Sequence, residues 1–352
     1  MKNIIFLAVP TAITLAVLSS CSKDDMENMS MDKNIDYPAA YVVNGESSSV
    51  SVIRLSDNSV TETIELMGTG NDMIMWPHHI YSHQNHLTIG VPGADLSAGH
   101  AGGMAGMKGK VIVMDAVKGN IIKNFEVPAM NHNAVYSPDG SEIWTTQMSM
   151  NGKALVYDAN SFALKSSIDV GDDPAEVTFS LDGTKAYVSN GGSASVTVIN
   201  PATKNVITTL AVGNDPVGAW PASNGKMYVD NETSKTISVI NVASNVVEET
   251  INLGFTPAYA AYNASKQELW VSDPENGKVH YWGWDSSMSM WMHKGVFDTG
   301  AGAHAIAFTP DGSTALITNQ LANTVSVANT TTHTVIKSIP VGKKPNGIVL
   351  KM

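Results

Sequence analysis

One strand pattern recurs along this chain in a fixed order, and a chain built that way has to stack its copies or close them into a ring. Ala186-Tyr-Val-Ser-Asn190 is followed by Ser195-Val-Thr-Val-Ile199, then by Val206-Ile-Thr-Thr-Leu210 and Val212-Gly213. The same order returns at Leu316-Ile-Thr-Asn319, Thr324-Val-Ser-Val327, Val335-Ile-Lys-Ser-Ile339 and Val341-Gly342. Met227-Tyr-Val-Asp-Asn231 with Thr236-Ile-Ser-Val-Ile240 is a third copy, and Tyr41-Val-Val-Asn44 with Ser49-Val-Ser-Val-Ile53 a fourth. Short alternating runs of Val, Ile, Thr and Ser between Gly and Asn turns are antiparallel strands, and no long helical pattern interrupts them. An equivalent point before each unit's first strand falls at Pro77, Asn131, Pro174, Pro216, Pro257, Ala303 and Pro345, in steps of 54, 43, 42, 41, 46 and 42 residues. Four strands of about five residues with their turns fill such a step, which is the size of a propeller blade of ~40–45 residues. The expectation is an all-β, seven-bladed propeller.

The two ends predict how the ring closes. The body opens at Tyr41 on what is a second strand in the other copies, whereas Pro345-Asn-Gly-Ile-Val-Leu350 is a first strand without followers. Together they make one blade, from 37–69 and 343–352. The others span about 70–128, 129–171, 172–213, 214–254, 255–299 and 300–342. Closure leaves only short sheet edges, so a monomer is expected. The repeats resemble the YVTN family of seven-bladed propellers, whose Tyr-Val-Thr-Asn-like strand appears here as Tyr187-Val-Ser-Asn190. That resemblance speaks to fold and not to activity.

Residues 1–20 read as an export signal, with Lys2 ahead of an apolar stretch from Ile4 to Leu18 that is too short and too interrupted to span a bilayer. Leu18-Ser19-Ser20-Cys21 resembles the lipobox of bacterial lipoproteins, which implies lipidation of Cys21, the only cysteine. No disulfide, zinc-thiolate site or thiol nucleophile is then available. Ser22-Lys-Asp-Asp25 resembles a surface-export signal of some Gram-negative lipoproteins and is equally a solvated linker. Residues 21–36 are polar and are expected to form a tether. The expected location is the outer membrane, lipid-anchored and at the cell surface, with the periplasmic face as the alternative. Formal net charge is −11 and Arg54 is the sole arginine, which excludes a basic face for nucleic acid and leaves almost no guanidinium to clamp phosphate.

Chemistry is expected on one rim of the central channel. One residue past each repeat anchor stand His78, His132, Ala175, Val217, Ala258, His304 and Asn346. The blades with His or Asn there are contiguous in a closed ring, so imidazoles distant in sequence converge; His79 replaces His78 if that blade slips by one residue. A structural His would recur in most blades, but this one is missing from three in succession. The second blade's step is 11 residues longer than the next, and the excess falls in 93–107, which holds His100, Met104 and Met107. Met73, Met75, Met130 and Met148-Ser-Met150 fall near the same rim. Neutral imidazole with thioether suits copper, particularly Cu(I). The candidate metal ligands are therefore His78, His79, His100, His132, His304, Met104 and Met107.

Other features carry less. Met288-Ser-Met-Trp-Met-His293 falls in a turn on the opposite face; Met26, Met29 and Met31 belong to the tether. Trp76, Trp220, Trp282 and Trp284 suit either a planar ligand or packing between blades. Asp139-Gly140, Asp182-Gly183 and Asp311-Gly312 recur at one blade position and read as hairpin turns. No Ser-His-Asp order and no paired carboxylates can be placed. Pro77-His78-His79 is similar to the His-His pair in the copper-binding propeller of nitrous-oxide reductase, but that enzyme's second copper domain and cysteines have no counterpart. The haem d1 propellers of nitrite reductases share the architecture, without a haem attachment motif here. No enzymatic turnover is expected. The reading is a lipid-anchored protein holding a metal, copper first, or a metal-containing small ligand at the rim. The alternatives are a protein-interaction or adhesion platform, and capture of a corrinoid or haem for a partner transporter, as some surface lipoprotein propellers of this repeat type do for cobalamin.

Overall fold

The structure is a computed structural model that describes residues 32–67, 74–97 and 106–352. Among the described residues, strands group into seven four-stranded antiparallel sheets. Each inner strand packs beside the next, from Pro345–Lys351 through Ile80–His83, Ala134–Tyr136, Pro174–Phe179, Pro216–Pro221, Tyr259–Asn263 and Ala303–Phe308, and back to the start. This is the seven-bladed ring the repeats predict. Pro345–Lys351 enters the first blade beside Ala39–Asn44, with Tyr41 opposite Val349 and Ala39 opposite Lys351. The blade is completed by Ser49–Arg54 and Ser59–Glu65.

Burial explains the composition of the repeat. Middle strands such as Ala186–Asn190 and Ser195–Ile199 are buried along their whole length because each faces a neighbouring blade on both sides. They therefore read as runs of Val, Ile, Tyr and small residues rather than as alternation. The outermost strands, such as Val206–Ala211, are half open to solvent and alternate.

The asparagine that closes the repeat has a physical task. Asn44, Asn190, Asn231 and Asn319 each donate from Nδ2 to two hydroxyls on the following strand, at 2.9–3.2 Å. Their carboxamides also lie against a glycine at the end of the preceding blade: Gly342, Gly171, Gly213 and Gly300 in turn, where a Cβ would sit 2.6–2.8 Å from the Asn side chain. The Val-Gly element of the repeat is thus the seat for the next blade's Asn. The Asp-Gly pairs are turns, as expected: Gly140, Gly183 and Gly312 take φ of +73°, +70° and +67°, and each preceding Asp accepts from neighbouring hydroxyls or backbone N–H groups.

The folded body begins before residue 37, where the tether was expected to end. Lys33 N and Ile35 N donate to Lys118 O and Val117 O, and Ile35 is wholly buried in the core shared by the first two blades. A single apolar residue in a polar run gave little sign of this.

Candidate functional site

The approach to the second blade's inner strand decides the site. In the fourth, fifth and first blades the inner strand starts at the anchor proline (Pro174, Pro216, Pro345), but in the second and third it starts three residues later, at Ile80 and Ala134. His78 and His79 precede Ile80 and both turn into the channel, where sequence reasoning expected one or the other. His78 N donates to Gly90 O, Gly90 N donates to His79 O, and Gly347 N donates to His78 O. Glycine is required at both partners, since a Cβ on Gly90 would lie 2.6 Å from Asn133 Cα and one on Gly347 would lie 2.8 Å from His79 Cα. Backbone close approach therefore sets the imidazole spacing.

His132 arrives from the third blade and His304 from the seventh. Ring centroids of His78 and His132 are 4.1 Å apart, His79 and His132 4.9 Å, and His79 and His304 5.6 Å. His78, His79 and His132 are buried, and each offers a ring nitrogen within 4.8 Å of the other two, a spacing that one metal ion can bridge. His304 lines the same cavity but stands outside that group of three.

Glu176, which sequence reasoning missed, lies against the imidazoles. It is 1 % exposed on the inner strand of the fourth blade. Its Oε1 is 2.8 Å from His132 Nδ1 and 3.4 Å from His79 Nε2. Tyr81 Oη donates to Oε2 at 3.0 Å and Asn133 Nδ2 at 3.4 Å. A carboxylate accepting from Nδ1 fixes that His tautomer and turns Nε2 outward as a lone-pair donor, as carboxylates commonly do behind metal-binding imidazoles. Burial first, and Glu176 next, holds the Tyr81 phenol far above its ordinary range, so it stays a neutral donor. Glu176 was missed because it stands two residues past its anchor, the position that His79 holds in the second blade, whereas His78, His132 and His304 stand one past theirs. A lone carboxylate inside the otherwise apolar Pro174–Phe179 was the available signal.

The cavity beside these groups has a volume of about 400 Å³ and is lined also by Leu96, Ser97, Trp220, Glu232 and Glu275. Trp220 and Tyr259, with centroids 3.8 Å apart, pack behind His79 and separate this cavity from a second one at the other end of the channel. Leu96 and Ser97 bring the start of the long insertion to the rim, where Lys344 Nζ pairs with Asp95 at 2.5 Å. His100, Met104, Met73 and Cys21 lie outside the described residues. Met107 packs with Ala94, Leu96, Met130 and Met148 in a small apolar cluster and does not line the imidazole cavity. Met75 and Met150 are exposed. Of the four tryptophans named above, Trp220 lines the cavity, Trp282 is core between the fifth and sixth blades, Trp284 is half exposed, and Trp76 lies under the Lys344 ammonium, 5.4 Å from its ring.

No family model matches the sequence, and no curated protein matches it. Solved structures do resemble the fold. A functionally unknown protein from Desulfotomaculum acetoxidans superposes with a TM-score of 0.70 at 11% identity, over 89% of this chain and 98% of that one. The periplasmic gluconolactonase of Pseudomonas aeruginosa gives 0.69 at 15% identity, over 90% and 99%. Dihydro-haem d1 dehydrogenase, solved with its ligand, gives 0.59 at 14% identity, over 88% and 74%. At these identities the likeness establishes a shared propeller architecture: this chain is built like lactonase-type and haem d1 propellers.

Proposed function

We propose that this protein is a lipid-anchored binding protein that holds one transition metal ion, copper first, between His78, His79 and His132. The observation that carries this is the convergence of three buried imidazoles on a buried carboxylate, within 4.8 Å of one another. Among divalent first-row ions, copper has the highest affinity for such donors. The donor set among the described residues is imidazole without thioether, so Cu(II), zinc and nickel fit as well as Cu(I) does. Glu176, Glu232 and Glu275 around the cavity favour a bare cation over a tetrapyrrole that carries carboxylates of its own.

The test is metal analysis and competition titration of the purified propeller. Wild type is expected to take up one tightly held ion, with affinity falling below about pH 6 as imidazoles protonate. His132→Ala should abolish that uptake, and Glu176→Gln should weaken it by about 10–100-fold. Wild type without stoichiometric metal would put the interaction-platform reading ahead. We infer binding rather than turnover. Gluconolactone, named for the Pseudomonas neighbour's activity, should hydrolyse at the background rate, and metal-dependent hydrolysis would make the site an active site. Anchoring is tested separately: Cys21→Ala should release a folded protein from membranes, and retention after a high-salt wash would refute the anchor.

A further inference from the structure

We propose a second metal site on the outer part of the sixth blade, formed by His280 and His293 and braced by Asp273, that takes a divalent late transition ion. His280 lies on Lys278–Asp285 and His293 on the outermost strand, Met290–Asp298. The register shifts between Tyr281 and Trp282, so that Trp282 faces His293 and Lys294 is the extra residue. That bulge swings His293 over His280: His280 Nδ1 and His293 Nε2 are 3.2 Å apart.

This separation suits a shared ion. With metal–nitrogen bonds of about 2.0–2.1 Å, two nitrogens so spaced subtend roughly 100–106° at the metal, close to the tetrahedral angle. Asp273 supplies the brace. Its Oδ2 is 3.4 Å from His280 Nε2, and the carboxylate is itself fixed by Asn276, whose Nδ2 donates to both of its oxygens. A proton on Nε2 then faces the carboxylate, which leaves Nδ1 as the lone-pair donor toward His293. Phe255 stacks on His280 with centroids 4.3 Å apart and holds the ring plane. His293 is exposed, so the remaining coordination positions open to water. None of these residues lines the central cavity. The ring of Trp282, 5.0 Å from that of His293 and 6.1 Å from that of His280, is a built-in reporter.

The experiment is a Ni²⁺ titration of the protein by equilibrium dialysis and tryptophan fluorescence. Wild type is expected to bind one Ni²⁺ equivalent more than His293→Gln, which removes a surface side chain and so spares packing. The paramagnetic ion should quench a fluorescence component that is absent from His293→Gln. Trp282→Phe should keep the stoichiometry and lose that component, whereas His132→Ala should keep the component whatever becomes of the central site. His280→Gln should weaken the second equivalent at least tenfold. Equal stoichiometry and equal quenching in wild type and His293→Gln would overturn the proposal and would show the pair to be a hydrogen bond only.

Discussion

Asp230 shows how far the ring alters single side chains. It is fully buried, and Trp220 Nε1 and Gly218 N both donate to its Oδ1, at 2.7 and 3.1 Å, with no ion pair among the described residues. Burial first, then the charges of Glu232 and Glu176, push its carboxyl well above the usual 3.8, so it is held protonated. The unfolded chain ionises it above about pH 4, so wild-type stability falls as pH rises from there. Asp230→Asn keeps the Oδ1 acceptor without that liability. The variant should match wild type near pH 4 and exceed it at pH 8 by on the order of 1–3 kcal/mol in urea melts; an equal pH dependence would show that the carboxylate is ionised in the fold. Residues of the central site were legible unevenly. His78, His132 and His304 were visible because one repeat position carries them. The joint use of His79 was not, because it depends on where the inner strand starts. Glu176 was hidden because no other blade carries a carboxylate at its repeat position, and Met107 packs in an apolar cluster because a thioether in a glycine-rich loop serves packing as readily as ligation.

At the scale of the strand and blade, the repeat motif is a set of contacts between consecutive units. The glycine that ends one blade and the Asn of the next are one latch written in two places, about twenty residues apart in sequence except at Gly342 and Asn44, where the ring closes. Gly213→Ala would put a Cβ 2.8 Å from Asn231 and Thr236, and should destabilise by about 1–3 kcal/mol as the carboxamide gives way. Urea melts measure it, and an unchanged midpoint would mean that the latch has slack. Blade number, strand order and the Asp-Gly turns could be read in advance because each rests on a local pattern repeated several times. Ile35 could not, because it occurs once and depends on a neighbour distant in sequence; nor could the register shift between third and fourth strands, which recurs in every blade (Tyr281/Trp282, Val239/Ile240, Val198/Ile199) without a turn residue to mark it.

For the whole molecule, the weak points are its two terminal segments. Removing residues 344–352 strips the inner strand from the first blade and leaves Ala39–Asn44 and the neighbouring blades with unpaired backbone groups. Removing residues 22–32 leaves every strand described above intact, whereas removing 22–35 also empties the site of Ile35. Thermal melts should rank the three with the first far below the others, the third intermediate and the second near wild type. Equal melting temperatures for the first and second would refute the closure described above.

The bond from Gly347 to His78 gives the composite blade a further consequence, in time rather than in space. Strand 345–351 leaves the ribosome after every other strand described here, and its partner around Tyr41 has by then waited some three hundred residues for it. Contacts so remote in sequence form late. Until then the histidine-bearing segment lacks one of its backbone supports, and the first blade lacks its inner strand. A chain cut short between His304 and Pro345 would carry all four imidazoles and still lack that support, so metal uptake at the proposed site would report that the polypeptide has folded through strand 345–351.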